Sequence, residues 1–432
     1  MSSIKKLLLA LVVSAAAMGC KKDNKGYVHH NGQAVTVSSF SPGTGPIGTE
    51  ILIKGSNFSG DTAGVRVSIN GVPLLVVGVN GNEIMAVLTE KTGTGPVAVN
   101  VGKDAGASTD PFNYLFSYTV NTLAGSGSAG YNDGKGTGAS FNFNGVRGQL
   151  SVDNDLNVYV ADGGNQRIRK ITADGTVTTI AGSGTNGYVD ANGTSAQFNN
   201  PCGTAVDKDG NVYVSERNGR NIRKITPAGV VSTHAHGDGN GGNELTSVVV
   251  NNSTGAVYWS DFYGDGIYQL RNGNVEKVIN HSLPCTITID PQGNIYATHY
   301  DDQQVWKYTY NAGADTFDNG VVIAGTSHVG GMADGVGTNA TFARPWGICI
   351  DVKGNLYVAG QGGGDASNNV RLLMAGTWDV TTIAGVGNNT GYIDGLGGDA
   401  RFNRPTGIAV DKNSDLYVLD MDNNRIRKIS VR

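Results

Sequence analysis

From Phe141 onward one pattern recurs and limits what this chain can fold into more than any other feature. It reads "FNNPCGTAVDKDGNVYVSERNGRNIRKIT" from Phe198, "FARPWGICIDVKGNLYVAG" from Phe342 and "FNRPTGIAVDKNSDLYVLDMDNNRIRKIS" from Phe402. Aligned on the acid or amide that ends its first apolar run, the copies fall at Asp153, Asp207, Asn251, Asp290, Asp351 and Asp411. The steps run from 39 residues (Asn251 to Asp290) to 61 (Asp290 to Asp351). A unit of this length cannot bury a hydrophobic face alone, so such units stack into a solenoid or close into a ring. Each copy predicts four short strands: an inner "GIAVD", a second "NVYVAD", a third "RIRKIT" and an outer "VTTIAG", the last followed by a long glycine-rich loop. Four strands per unit make the blade of a β-propeller.

Ring and solenoid are distinguished by a duplicated stretch. "VNTLAGSGSAGYNDGKGTGASFN" begins at Val120 and a near copy, "VTTIAGVGNNTGYIDGLGGDARFN", at Val380. The sixth unit reaches Arg432 straight after its third strand, while the text at Val120 is an outer strand without the three that should precede it. The two complete each other, which predicts a six-bladed ring closed by an N-terminal outer strand and leaves no exposed sheet edge at the joint. A solenoid would need polar caps, and neither end of the repeat region reads as one.

The pattern "PxGIAVDxxGNLYVADxxNxRIRKI" is similar to the NHL repeat, a family of six-bladed propellers, over about 310 residues. The third unit, "ELTSVVVNNSTGAVYWSDFYGDGIYQL", keeps only the strand spacing, and the fourth, "HSLPCTITIDPQGNIYATHYDDQQVWKY", also departs, so the family's residues do not carry over to these two blades one by one.

Ahead of the repeats, residues 35–118 carry alternating segments such as "EILIKGSNF", "VRVSIN" and "GPVAVNVG", separated by Gly, Pro and Asn turns, which predict a small β-sandwich. "SFSPGTGPIGTEILIKGSNF", with Pro42, Gly48, Gly55 and Phe58, resembles the opening of an IPT/TIG domain, an immunoglobulin-like module that implies a spacer or protein-contact role. The expected fold class is therefore all-β: an IPT/TIG domain over 35–118, then a six-bladed propeller over 119–432.

Residues 1–19 read as a secretory leader, with Lys5 and Lys6 before an apolar run from Leu7 to Ala17 that is too short to span a bilayer. "AMGC" resembles the lipobox of bacterial lipoproteins, which implies lipidation at Cys20, a linker over 20–34 and, with Lys rather than Asp at position 21, an outer-membrane address facing the periplasm or the surface. Without the leader, 30 basic residues stand against 36 acidic ones, so nucleic acid is not an expected partner. Cys202, Cys285 and Cys349 are odd in number and make no disulfide framework. A monomer is expected.

Propeller ligands usually bind on the face where the second strand ends and the next inner strand begins. The residues closing the second strands are Asp162, Glu216, Asp261, His299, Gly360 and Asp420. Asp162, Glu216 and Asp420 share their blades with Arg169, Arg223 and Arg427, so a repeated internal ion pair is expected there. Blades three and four carry Tyr268 and Trp306 in the arginine's place, which makes Asp261 and His299 candidates for binding. Phe262, Tyr263, Tyr300 and Trp346 also break the pattern and complete the candidate site. Loop residues Tyr131, Tyr188 and Tyr392, with Met332 in the fourth copy, each precede an aspartate by two positions, and packing is their expected role.

For metals, His234 and His236 in "THAHGDG" share a strand side by alternation, with His281, His299 or His328 able to approach. His234, His236 and His299 are the metal candidates, for zinc, with calcium the other cation considered. No catalytic residue and no required cofactor is expected, because no GxSxG elbow, phosphate loop or Cys–His pair is present. The lipobox resemblance implies a lipid-anchored envelope protein, and a propeller face with acids, amides and scattered aromatics suits binding of an extracytoplasmic glycan or protein. A metal-dependent lyase or hydrolase and a structural scaffold are the alternatives.

Overall fold

The computed structural model describes residues 27–143, 147–218, 220–236, 244–264, 266–281, 283–361 and 367–432. The leader, Cys20 and the first part of the linker lie outside these residues. Two compact units divide between Phe116 and Ser117.

In the first unit, strict alternation sets one face of each strand inward. Glu50–Ser56 buries Ile51 and Ile53, Val65–Ile69 buries Val65, Val67 and Ile69, and Gly95–Val101 buries Val97, Val99 and Val101. These side chains meet Phe58, Ile84 and Phe112 in a single core. Eight strands join in the order expected of a folded-over sandwich, with Val72–Val79 pairing on one side to Val65–Ile69 and on the other to Glu83–Val87. The eleven-residue strand Asp104–Tyr114 was not legible in the sequence. Its "DAGASTDPFNY" has low β propensity and buries only Phe112 and Tyr114, and it is held by pairing with Gly95–Val101.

The second unit is a propeller of six sheets among the described residues. Blade two shows the plan: inner strand Pro201–Val206, second Val212–Glu216, third Asn221–Ile225 and outer Val231–His236, each antiparallel to the next. In blades one, five and six a two-residue strand from the preceding loop adds a fifth member outside the outer strand. Blade four inserts a hairpin, Tyr310–Asn311 with Thr316–Phe317, between its third and outer strands.

Blade six has inner strand Pro405–Val410, second Leu416–Asp420 and third Arg425–Val431, and its outer strand is Tyr118–Ala124. Arg427 pairs with Thr122, Ile429 with Val120 and Val431 with Tyr118. The ring is therefore closed by the strand the duplicated text predicted.

The inner strands of blades three, four and five accept hydrogen bonds from small donors of the preceding blade. The Cys202 thiol donates to the Leu245 carbonyl (2.8 Å), Ser260 to Cys285 (2.9 Å) and Thr298 to Trp346 (2.5 Å). Close approach requires glycine at two points: a Cβ on Gly347 would strike the Thr406 carbonyl, and one on Gly407 the Gly148 carbonyl. Gln149 crosses the axis of the ring, donating from Nε2 to the Ile287 carbonyl of blade four at 3.1 Å. The three cysteines are free and buried.

Candidate functional site

Three blades repeat one ion-pair clamp at the end of the second strand. Arg169 meets Asp162 at 2.6 Å, Arg223 meets Glu216 at 3.2 Å and Arg427 meets Asp420 at 2.7 Å, with all six side chains fully buried. The same guanidiniums reach a loop aspartate: Asp133 (2.8 Å), Asp190 (2.5 Å) and Asp394 (2.6 Å). Each loop aspartate also accepts the backbone N–H of an outer-strand threonine, namely Thr179, Thr233 or Thr122. In blade six that threonine belongs to the closing strand, so the joint repeats the chemistry of an ordinary blade. Arg169, Arg223 and Arg427 lie over Phe141, Phe198 and Phe402. Burial raises the Asp162, Glu216 and Asp420 carboxyls against the pull of their arginines, Asp420 to about 6. Burial also acts on Asp133, but the Thr179 N–H and the Arg169 guanidinium outweigh it and hold that carboxyl below its ordinary value. These acids serve the fold.

Blade four replaces the acid, the arginine and the phenylalanine of the clamp. His299 stands where Asp162 stands, Trp306 where Arg169 stands, and His281 where Phe141 stands. The Tyr308 hydroxyl lies 2.6 Å from His281 Nδ1 and 3.1 Å from His299 Nε2, and the two imidazoles are 4.2 Å apart between centroids. The Trp306 edge meets His281 at 4.2 Å. His281, His299 and Asp302 are the one cluster among the described residues that brings three metal-ligating groups within 4.8 Å. Burial lowers the His281 pKa, which keeps a neutral ring nitrogen available.

His234 and His236 do not join this cluster. A β-bulge between the pairs Ile222–Ala235 and Arg223–Thr233 leaves His234 as the extra residue and breaks the alternation that would have put both on one side. His234 packs edge-on against Tyr213, while His236 is bonded to Asn221 at 3.0 Å. His328 lies 3.8 Å from Asp302 in the exposed loop after blade four. The Asp207 turn is occupied by its own chain: the carboxylate accepts the N–H groups of Asp209 and Asn211 and the Asn211 side-chain amide.

Phe262, Tyr300 and Trp346, from blades three, four and five, form one aromatic block with Cys285 beneath it. Ring centroids are 6.3 Å apart for Phe262–Tyr300, 5.7 Å for Phe262–Trp346 and 5.8 Å for Tyr300–Trp346. Trp346 is completely buried, so it packs and offers no face to a ligand. Tyr263, 60% exposed, stands edge-on to Phe262 at 5.0 Å. Asp261 is buried behind this block and accepts the N–H groups of Glu244 and Gly264 at 3.0 and 2.8 Å. Thus the structure brings Phe262, Tyr263, Tyr300 and Trp346 together beside Asp261, while His299 belongs to the imidazole cluster of blade four.

Arginines at the same rim were missed from sequence. Arg147 lies over the Trp346 ring (4.9 Å to its centroid) and Arg344 over Tyr300 (5.4 Å). The usable signal was "ARPW" and "NRPT" against "NNPC": in blades five and six the residue before the inner-strand proline changes to arginine. Nothing in the text around Arg147 places it over Trp346. The loop tyrosines are exposed and held by neighbours: Arg167 covers Tyr131, Arg425 covers Tyr392, and the Tyr188 hydroxyl meets the Asn199 amide at 2.5 Å.

An Ig-like sandwich and a six-bladed propeller, with an aromatic and guanidinium rim on the face where the second strands end, define an all-β protein of modular type. Residues 35–118 match the IPT/TIG domain and residues 402–429 the NHL repeat. The chain is 28% identical to human NHL repeat-containing protein 2 over 297 residues, which is 66% of this chain and 39% of that protein. It is 36% identical to the bovine NHL repeat-containing protein 2 over 104 residues, 23% of this chain and 14% of that one. The matches thus span well under half the length of these relatives. Among solved structures it is similar to a Bacteroides thetaiotaomicron protein of unknown function (TM-score 0.64, 22% identity, 94% of this chain and 100% of that one). It is also similar to an auxiliary nutrient binding protein of Bacteroides ovatus (TM-score 0.59, 23% identity, 94% and 100%). At these identities the likeness shows the fold.

Proposed function

We propose that this is a lipid-anchored protein of the cell envelope, held through Cys20 in the outer membrane, whose propeller rim binds an extracytoplasmic glycan. The observation that carries the reading is the rim itself. Tyr263 is left exposed against Phe262, and Tyr300 is half-buried against Trp346 and topped by Arg344. Flat rings held rigid by a buried aromatic base beside guanidinium donors suit a ligand with apolar ring faces and many oxygens. The likeness over nearly the whole chain to an auxiliary nutrient binding protein of Bacteroides ovatus is in keeping with this.

The test is titration of the full chain against a glycan array. Tyr263→Ala is expected to weaken capture at least tenfold while leaving the melting temperature within about 2 °C, since an exposed side chain changes stability by no more than about 0.5 kcal/mol. Unchanged capture by that variant overturns the rim as the site. The same titration separates the alternatives: loss of capture in EDTA, or cleavage of the glycan, favours a metal-dependent lyase or hydrolase, and no capture at all favours a scaffold.

A further inference from the structure

Beside the aromatic block two guanidiniums converge on one neutral group. With the buried Gln361 amide turned to satisfy its neighbours, its oxygen lies 2.6 Å from Arg147 Nε and 3.3 Å from Arg404 Nη2. Asp422 touches Arg404 at 3.5 Å, and both of those side chains are about one-third exposed. The amide oxygen accepts two hydrogen bonds but brings no charge, so two like charges are held close, and Asp422 is the carboxylate that pairs with one of them among the described residues. Such an arrangement is relieved by an anion, for which planar guanidiniums are the preferred partners.

Two further donors point to the same conclusion. Trp346 Nε1 and Thr406 Oγ1 are fully buried polar atoms without a hydrogen-bond partner. They occupy equivalent places, one residue after the inner-strand proline, in the adjacent blades five and six. Arg147 covers the indole of one, Arg404 lies two residues before the other, and Gly347 brings the Thr406 backbone against the strand that carries Trp346. Buried polar hydrogens in native proteins are almost always satisfied, and among the described residues these two are not.

We propose that Arg147, Arg404 and Gln361 form an anion subsite that takes the carboxylate of an acidic sugar, with Tyr263 and Tyr300 receiving the sugar faces. This rests on the glycan reading and names its class: a uronate-bearing oligosaccharide.

The experiment is calorimetric titration of the full chain with tetrasaccharides of galacturonate, mannuronate and hyaluronan, each beside its carboxyl-reduced form. At least one acid form is expected to bind ten times or more tightly than its reduced form. That preference should fall below threefold in Arg147→Gln. It should fall equally in Gln361→Glu, which supplies both guanidiniums with an internal carboxylate and leaves the shape of the rim in place. Equal binding of acid and reduced forms overturns the anion subsite and leaves the glycan reading standing. No binding of either form overturns both. Tighter binding of an octauridylate through Arg147 overturns the ligand class.

Discussion

Trp346 and Tyr263 belong to one aromatic block, yet different forces hold them. In the sequence both stood out for the same reason: each puts a large ring where the other repeats do not. Only burial separates them. Trp346 has no accessible surface and packs on Phe262, Tyr300 and the Arg147 guanidinium, whereas Tyr263 faces solvent over most of its area. Trp346→Ala therefore leaves a cavity at the head of the ring and is expected to cost about 3–5 kcal/mol, read as a drop in the urea midpoint at unchanged slope. A cost under about 1 kcal/mol would mean that the indole is free to serve a ligand. The histidines teach the same lesson: His234 and His236 share a side only if the strand is regular, and the bulge that parts them leaves no mark in "THAHGDG".

At the scale of the blade, the acid that ends the second strand and the arginine diagonal to it on the third were legible as a pair because both recur with the repeat. What the repeat did not show was that each arginine also anchors the preceding glycine-rich loop. The clamp predicts a difference between blades. Arg223→Met strands the fully buried Glu216 and is expected to cost about 3–5 kcal/mol. Arg371 lies in a blade whose second strand ends in Gly360 in place of an acid, and among the described residues it binds the half-exposed Asp334 and two carbonyls. Arg371→Met is therefore expected to cost about 1–2 kcal/mol, because no buried carboxylate is left alone. Equal losses in the two variants, measured by denaturant unfolding, would show that the loop contacts and not the buried pair carry the energy.

In the molecule as a whole, the propeller depends on a strand borrowed from its own beginning. Val120 is buried in the core shared by blades five and six, and Ala124 in the core shared by blades six and one, so the closing strand stands between two neighbours as well as completing a sheet. A chain beginning at Asn144 lacks that strand and exposes the third strand of blade six. It is expected to lose the single sharp calorimetric transition of the propeller, and a transition as sharp and as hot as that of the full chain would refute the closure. The sequence by itself determined the number of blades, the order of their strands, the partner of the orphan strand and the buried acid–arginine pairs. All of these are periodic, and periodicity is written locally in spacing and alternation. Only the tertiary structure decided which aromatic rings are covered, which histidines meet, and that Arg147, Arg404 and Gln361 converge. Those contacts join residues of different blades, and their distances are set by how closely the inner strands pack around the axis.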